Sequence, residues 1–425
     1  MNIIFFIIVI IAFLAGAFRQ LSWDGTGIAP MGELSKAMIE SASGSVTLAL
    51  GLVGVMTLFL GLMKVAEAGG LLTLIARLIR PLMVRLFPQV PADHPAMGAM
   101  ILNMSANALG LGNAATPFGI RAMQELDKLN TRPGTATDAM VLFLAINTSS
   151  ITLLPTGVIA LRAAAGSADP AGILPTTLFA TLCATAIAIV SSFALRRFFP
   201  LEQGIDANPS AAERDQMEPA ESHEAYPLWV SAMAMSALVM AIPLTVLYGQ
   251  VVSPWILPGL MVGFLGFGIA RGVRIYEVFV EGAKEGFQVA LRIIPYLVAI
   301  LVAVGLFRAS GALTVLVKAI GPWTSQVGLP AEALPMALLR PLSGSGAYGV
   351  MASLINDPNI GPDSYAGYLV STIQGSTETT FYVLAVYFGS VQIRRMRHAL
   401  AVGLLTDLAG LIGAIIAVTF LFAHR

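Results

Sequence analysis

Two stretches decide the fold: residues 95–112, PAMGAMILNMSANALGLG, and residues 333–352, ALPMALLRPLSGSGAYGVMA. Both are mostly apolar, but Asn, Ser, Gly or Pro interrupts each of them near its centre. Lipid offers no hydrogen bonds to the backbone, so an interrupted helix at membrane depth must be buried in protein or line a cavity. Each stretch is therefore either a full span or a re-entrant hairpin.

The composition indicates a membrane protein. Of the 425 residues, 11% are charged and 56% are hydrophobic, whereas a soluble domain has roughly 25% charged residues. Several charge-free windows exceed the roughly 20 residues that cross a bilayer as a helix. We interpret the first apolar run as a retained helix, because no Lys or Arg precedes it as in a signal peptide. The predicted spans are 1–17, 43–64, 139–161, 171–195, 226–248, 253–270, 291–307, 365–389 and 399–422.

The same composition argues against several functional classes. The 24 basic and 24 acidic residues balance, which argues against nucleic acid as a partner. Cys183 is the only cysteine, so the chain has no internal disulfide. The four histidines have no metal-like spacing, and we predict neither a metal site nor a cofactor. No histidine lies at membrane depth to activate Ser343 or Ser345, so we predict no catalytic residues and no enzyme activity.

Basic residues on the flanks decide between span and hairpin. Cytoplasmic flanks are rich in Lys and Arg. Residues 95–112 have basic residues on both sides, namely Arg77, Arg80, Arg85, Arg121, Lys128 and Arg132. Residues 333–352 have only Arg308 and Lys318 before them, and Asp357 and Asp363 after them. We therefore predict two re-entrant hairpins that enter from opposite faces of a multi-pass protein with a cytoplasmic N-terminus.

An acidic segment divides the chain into two related halves. Residues 200–224 contain many Asp and Glu but few apolar residues, which predicts a flexible linker between the domains 1–199 and 225–425. Gly61-Leu62-Met63-Lys64 aligns with Gly305-Leu306-Phe307-Arg308, and 146–150 align with 373–377. The second half has one extra N-terminal helix. The number of crossings between equivalent helices is then odd, which predicts two inverted-topology repeats, the architecture of secondary transporters.

Long motifs carry a family resemblance. Residues 93–130 and 143–162 closely resemble spore maturation protein A, and residues 281–313, 334–351 and 375–391 closely resemble spore maturation protein B. The chain is thus identified as a fused member of the Gate, or nucleoside recognition, domain family, which also includes concentrative nucleoside transporters. The resemblance implies a protein of the bacterial inner membrane, linked in spore formers to cortex maturation. It does not imply a particular solute.

Polar residues at membrane depth form the candidate site. Each half has one group in its hairpin and one in the following helix, whose polar centre predicts a break. Such groups could bind a small polar solute or a Na⁺-like ion, or they could be hydrogen bonds between packed helices. The candidate residues are Asn103, Ser105, Asn107, Asn113, Asn147, Thr148, Ser149 and Ser150 in the first half, and Arg340, Ser343, Ser345, Gln374, Ser376, Thr377 and Glu378 in the second.

Arg340 and Glu378 are the most deeply placed charges of the second half. An ionisable group in the bilayer interior costs at least about 2.5–3.5 kcal/mol and suggests a function. The alternative is a structural ion pair, with Asp407 as a further partner.

Two functions remain open from the sequence. The first is transport of a small polar or ionic solute by alternating access between the two repeats. The second is a non-transporting envelope component that regulates peptidoglycan-maturation partners. The sequence is compatible with a homo-oligomer in either case.

Overall fold

A computed structural model describes residues 2–110, 115–149, 151–200 and 226–423. These residues are helical, and the described ranges contain one isolated β-bridge, between Thr135 and Arg395, but no strand. The helices of the first half are α1 (Asn2–Leu21), α2 (Pro30–Ala68), α3 (Leu71–Leu86), α4 (Pro95–Ala108), α5 (Ala115–Lys128), α6 (Asp138–Ser149), α7 (Thr156–Ala164) and α8 (Leu174–Leu195). The predicted linker 200–224 lies almost wholly outside the described residues.

The second half repeats this order after one long helix. Its helices are α9 (Leu228–Ala270), α10 (Ile275–Ala309), α11 (Ala312–Thr324), α12 (Leu334–Leu339), α13 (Gly344–Ile355), α14 (Tyr365–Ser376), α15 (Thr380–Ser390) and α16 (Ala399–Ala423).

Two described helices are long and apolar enough to cross a membrane. They are Leu174–Phe198 and Ala399–Ala423, which agree with the predicted spans 171–195 and 399–422. A third span is formed if Val53–Ala68 and Leu71–Leu86, bent by 68°, cross together. The protein is an all-helical membrane protein, and the other predicted spans remain predictions.

The predicted separation of 226–248 from 253–270 is wrong, because α9 runs through both. The short Gly249-Gln250 sequence does not break this helix, since one glycine costs only about 1 kcal/mol in a helix interior. A helix of 43 residues is about 64 Å long. The count of membrane crossings that predicted inverted repeats assumed two spans in this stretch. Because the structure has one helix there, that count no longer supports the inversion.

The hairpin segments form helix–turn–helix units. In the first half α4 and α5 lie side by side, and the Asn103 side-chain amide donates to the Ala115 carbonyl at 2.8 Å. In the second half α12 and α13 flank a turn whose Ser343 hydroxyl accepts from the Gly346 amide at 3.0 Å. This capping bond starts α13 at the predicted interruption. Entry of either hairpin from one face of the membrane remains a prediction.

Both predicted helix breaks are present. Helix α6 ends at Ser149 and α7 begins at Thr156, while α14 ends at Ser376 and α15 begins at Thr380. Each break is bonded to the hairpin of its own half: Leu153 N–H donates to Ala108 O at 2.9 Å, and Phe381 N–H donates to Pro341 O at 3.1 Å. Protein groups thus replace the partners that each broken helix lacks.

Equivalent helices of the two halves pack antiparallel. Along α2 and α10, Gly305 lies against Ser41 near one end, while Gly282 lies against Leu60 near the other. Along α8 and α16, Gly413 contacts Ala180 and Gly410 contacts Ala184. Glycine is needed at Gly282, because a Cβ there would collide with the Leu60 carbonyl of the facing helix.

The hydrophobic cores do not follow the division of the chain. One core joins α7 of the first half to α13 and α14 of the second, and includes Ile159, Met336 and Tyr368. The other joins α4 and α6 of the first half to α15 of the second, and includes Met97 and Phe143. Each half therefore contributes to both cores.

Two buried arginines clamp the halves together. Arg162, at the end of α7, donates to the Asp363 carboxylate at 3.0 Å and to the Pro362 carbonyl at 2.6 Å, with its side chain 0% exposed. Arg397, after α15, donates to the Asp138 carboxylate at 2.6 Å with its side chain 8% exposed. Each clamp thus joins the end of one broken helix to the start of the other.

Candidate solute-binding site

The two broken helices meet at their interruptions. The Glu378 N–H, in the second break, donates to the Thr148 carbonyl of α6 at 2.7 Å. The last turns of α6 and α14 and the first turns of α7 and α15 therefore come together. Helix ends leave N–H and C=O groups without intrahelical partners, so this crossing concentrates polar backbone groups inside the protein.

A cavity of about 510 Å³ lies beside the crossing. Its volume falls in the range of roughly 300–1,000 Å³ that is common for small-molecule sites. Both halves line it, through α2, the turn after α4, the first break, α10, the second hairpin and the second break. Its polar lining residues are Lys64, Glu67, Asn107, Thr152, Thr156, Glu285, Arg340, Ser345, Tyr348, Gln374, Thr377 and Glu378.

Arg340 and Glu378 form the charged wall of this cavity. Arg340 is 5% exposed, and its Nη1 donates to the Thr379 hydroxyl at 3.1 Å. Its Nη2 is 4.0 Å from a Glu378 carboxylate oxygen, and the Glu378 side chain is 48% exposed. Arg340 Nε has no hydrogen-bond partner among the described residues. The pair is long and one-sided, with the cation buried and the carboxylate open to the cavity.

Three candidate asparagines of the first half bond mainly to protein. Asn147 Oδ1 accepts from the Asn107 amide at 3.0 Å and from the Tyr387 hydroxyl at 3.3 Å. Asn147 Nδ2 donates to the Phe143 carbonyl at 3.0 Å. Asn103 Nδ2 lies 3.3 Å from the same Tyr387 oxygen. Of these three residues, the cavity lining includes Asn107 alone, so Asn103 and Asn147 hold helices together.

The other first-half candidates are also internal. Ser105 donates to Ile101 O at 2.8 Å, and Ser149 donates to Ile146 O at 3.0 Å. Thr148 is fully buried, and its hydroxyl has no partner among the described residues. Asn113 and Ser150 lie outside the described residues.

Most of the predicted site residues that line the cavity come from the second half. Besides Arg340 and Glu378, the wall includes Ser345, Gln374 and Thr377. Gln374 Oε1 is buried without a hydrogen-bond partner among the described residues. Ser343 and Ser376 are used elsewhere, since Ser343 caps α13 and Ser376 donates to Ile373 O at 2.9 Å.

Sequence reasoning missed a second charged group in the cavity lining. Lys64 of α2 lies 3.5 Å from Glu67 and 3.3 Å from Glu285 of α10. The signal was present in the repeat, where Lys64 aligns with Arg308, but a basic residue at a predicted span end indicates a membrane boundary. Only the packing of α2 on α10 turns it toward the cavity.

Comparison with known proteins then assigns the family. The Gate family model, described as nucleoside recognition, matches residues 49–165 and 290–394, more than half of the chain. The chain belongs to the Gate family. The two matched ranges contain every candidate residue of the site, whereas Glu285 and Asp407 lie outside them.

Two curated relatives of this Gate protein come from Bacillus subtilis (strain 168). Spore maturation protein B is 51% identical over 166 residues, which cover 39% of this chain and 92% of the relative. Spore maturation protein A is 46% identical over 158 residues, which cover 37% of this chain and 81% of the relative. The matches are consistent with a fusion of the two kinds of protein.

Solved structures similar to this Gate protein include two double variants of CNTnw in an outward-facing state. Each is 13% identical with a TM-score of 0.40. The first match covers 97% of this chain and 90% of the other, and the second covers 98% and 91%.

Proposed function

We propose that this Gate protein binds a small polar or ionic solute in the cavity beside the crossed breaks. In this proposal it moves the solute across the bacterial inner membrane by alternating access between two inverted repeats. The observation that carries the proposal is the cavity of about 510 Å³ whose polar walls come from both halves. A site shared by two repeats at broken helices is the arrangement that secondary transporters use.

Inversion of the repeats has support from packing rather than from the crossing count. Helices α2 and α10 are equivalent in the repeat, and they pack antiparallel through Gly305 and Gly282. The final helices α8 and α16 also pack antiparallel. Two equivalent elements in antiparallel contact are related by an axis perpendicular to them, as expected when one repeat is inverted.

A second candidate function follows from the relatives. Both are spore maturation proteins, which favours a role in envelope or spore-cortex maturation. This Gate protein could serve that role without transport by regulating peptidoglycan-maturation partners. The two functions differ in whether a solute crosses the membrane.

Thermal unfolding of the purified protein with uridine or muramyl dipeptide tests binding. Binding to the folded state alone stabilises it by about 2.7 kcal/mol when the solute is at 100 times its Kd. We expect Gln374→Ala to abolish the stabilisation and Ser105→Ala to keep it, because the Ser105 hydroxyl bonds only within its own helix. Flux of the stabilising solute into proteoliposomes supports transport. Stabilisation without flux would favour the regulatory function.

A further inference from the structure

A second, smaller cavity lies on the other side of Arg340. It measures about 180 Å³ and is lined by residues of α12, α14 and α16 and by the residues after α12 and α14. Arg340 and Thr377 line both this cavity and the larger one, so they form the partition between them. The small cavity contains one acid, Asp407 of α16.

Asp407 is a buried acid in a helix that can span the membrane. It is 9% exposed and lies within the candidate span Ala399–Ala423. The Thr380 hydroxyl donates to its Oδ2 at 2.7 Å. A carboxylate in such a place needs a counter-charge, a cation or a proton, because removing an unpaired charge from water is very costly.

Arg340 is the cation available to Asp407, and it is shared. Helices α6, α8, α14 and α15 pack against α16, and their described residues contain no Lys or Arg. The titratable groups on these helices are Asp138, Cys183, Tyr365, Tyr368, Tyr382 and Tyr387. Asp138 is already paired with Arg397 at 2.6 Å. Arg340 therefore faces two carboxylates, Glu378 in the large cavity and Asp407 in the small one.

One positive charge can neutralise only one of the two acids. Glu378 is 48% exposed in the large cavity, where water can solvate its charge. Asp407 has no comparable access to water, so burial favours its neutral, protonated form. The guanidinium on the wall of the small cavity also repels a metal cation, which leaves a proton as the neutralising partner.

The fold does not need an acid at this position. In the first half, a contact between the broken helix and the final helix joins Thr185 to Ser149 by a hydroxyl–hydroxyl bond of 3.0 Å. In the second half, the contact joins Thr380 to the Asp407 carboxylate. Neutral side chains thus suffice for the packing, and the acid adds a titratable group.

We infer that Asp407 is a proton-binding site. Its carboxylate is neutralised either by a proton or by pairing with Arg340. When Arg340 pairs with Glu378, Asp407 holds the proton as a carboxylic acid. When a solute binds Glu378 in the large cavity, Arg340 pairs with Asp407 instead. The proton of Asp407 then leaves to water in the small cavity. The exchange rests on the proposed solute binding, whereas the presence of the proton on Asp407 does not.

Infrared difference spectroscopy of the reconstituted protein tests the site without any solute. We expect a carboxylic-acid C=O band that disappears on titration to high pH. Asp407→Asn should remove this band, because it removes the carboxyl group. The variant should still fold, since the Asn oxygen can accept the Thr380 hydroxyl bond. Glu285→Gln, the control on the wall of the other cavity, should keep it, because Glu285 pairs with Lys64 and not with Arg340.

Three results would overturn the inference. The first is a band of wild-type size in a folded Asp407→Asn variant, and the second is the absence of any such band in the wild type while it stays folded. Loss of the band on adding Na⁺ at constant pH would also refute it, in favour of a cation site. The test separates the two proposals, because failure of solute binding leaves the titration of Asp407 unchanged.

Discussion

Asn147 and Glu378, two candidate residues at the crossing, differ in what their side chains already bond. Both oxygen and nitrogen of the Asn147 amide have protein partners, from Asn107, Tyr387 and Phe143. The Glu378 carboxylate is 48% exposed, and its ion pair with Arg340 is 4.0 Å long. A group whose hydrogen bonds are complete gains little from a solute, so Glu378 is suited to binding and Asn147 to packing.

Substitution of these two residues should separate stability from binding. Glu378→Gln should change the free energy of unfolding by less than about 1 kcal/mol, because a half-exposed ion pair is weak, yet abolish solute binding. Asn147→Ala leaves the Asn107 amide and the buried Tyr387 hydroxyl without this partner and should cost about 1–3 kcal/mol, with binding kept in the folded fraction. Thermal unfolding in detergent and solute titration measure both effects. The opposite pattern would contradict this assignment.

A double variant is the control for a purely structural pair. Arg340→Met combined with Glu378→Leu replaces both charges by apolar groups, so neither charge is left without its partner. We expect this variant to fold and to remain inactive in flux. A folded double variant with full activity would show that Arg340 and Glu378 have no part in function.

Sequence reasoning found the polar residues but could not tell which of them are already bonded. The amide of Asn147 is satisfied by Tyr387, 240 positions away, and no local pattern reveals such a partner. Lys64 was missed for the same reason, because its position in the cavity depends on α10. Arg340 and Glu378 were predictable, since a charge in an apolar segment is unusual whatever its partners.

At the scale of helices, interruptions were easier to predict than continuity. The polar runs after Ile146 and Ile373 predicted both breaks, which the structure contains. Two separate spans were predicted at 226–248 and 253–270, but α9 runs through both. Polar clusters with Gly or Pro change the backbone path strongly, whereas a single glycine changes helix stability by only about 1 kcal/mol.

Orientation of the two hairpins is the prediction at this scale. Single cysteines at Gln124 of α5 and Asn356 after α13, in a Cys183→Ala background, should react with an impermeant maleimide from the cytoplasm and the periplasm respectively. Both positions are exposed, so access depends on the side of the membrane rather than on burial. Labelling of both from the same side would contradict inverted repeats.

Across the whole molecule, the two halves share their hydrophobic cores. Each hydrophobic core contains helices of both halves, and the clamps of Arg162 and Arg397 join the halves at two places. Sequence alone predicted two domains around a linker, because composition reports where a chain is polar and not which helices share a core.

Cleavage between the halves should therefore leave the protein assembled. A protease site introduced within 201–225 should give two fragments that co-elute on size exclusion in mild detergent. Either fragment expressed alone should aggregate, since it exposes apolar faces from both cores. Arg162→Met should weaken the co-elution, while Lys36→Met should not, because the Lys36–Glu40 pair lies within α2 and is 63% and 66% exposed. Fragments that separate readily and stay monodisperse would refute the shared cores.

The two arginine clamps also constrain how the two halves can evolve. Each takes its arginine from one half and its aspartate from the other, and 201 positions separate Arg162 from Asp363. The effect of a substitution at a clamp residue in one half thus depends on its partner in the other half. The two halves must therefore evolve together, whether one gene or two genes encode them. Joining the halves in one chain guarantees that they are made in equal amounts, and it removes the stoichiometry problem that two separate genes would have to regulate.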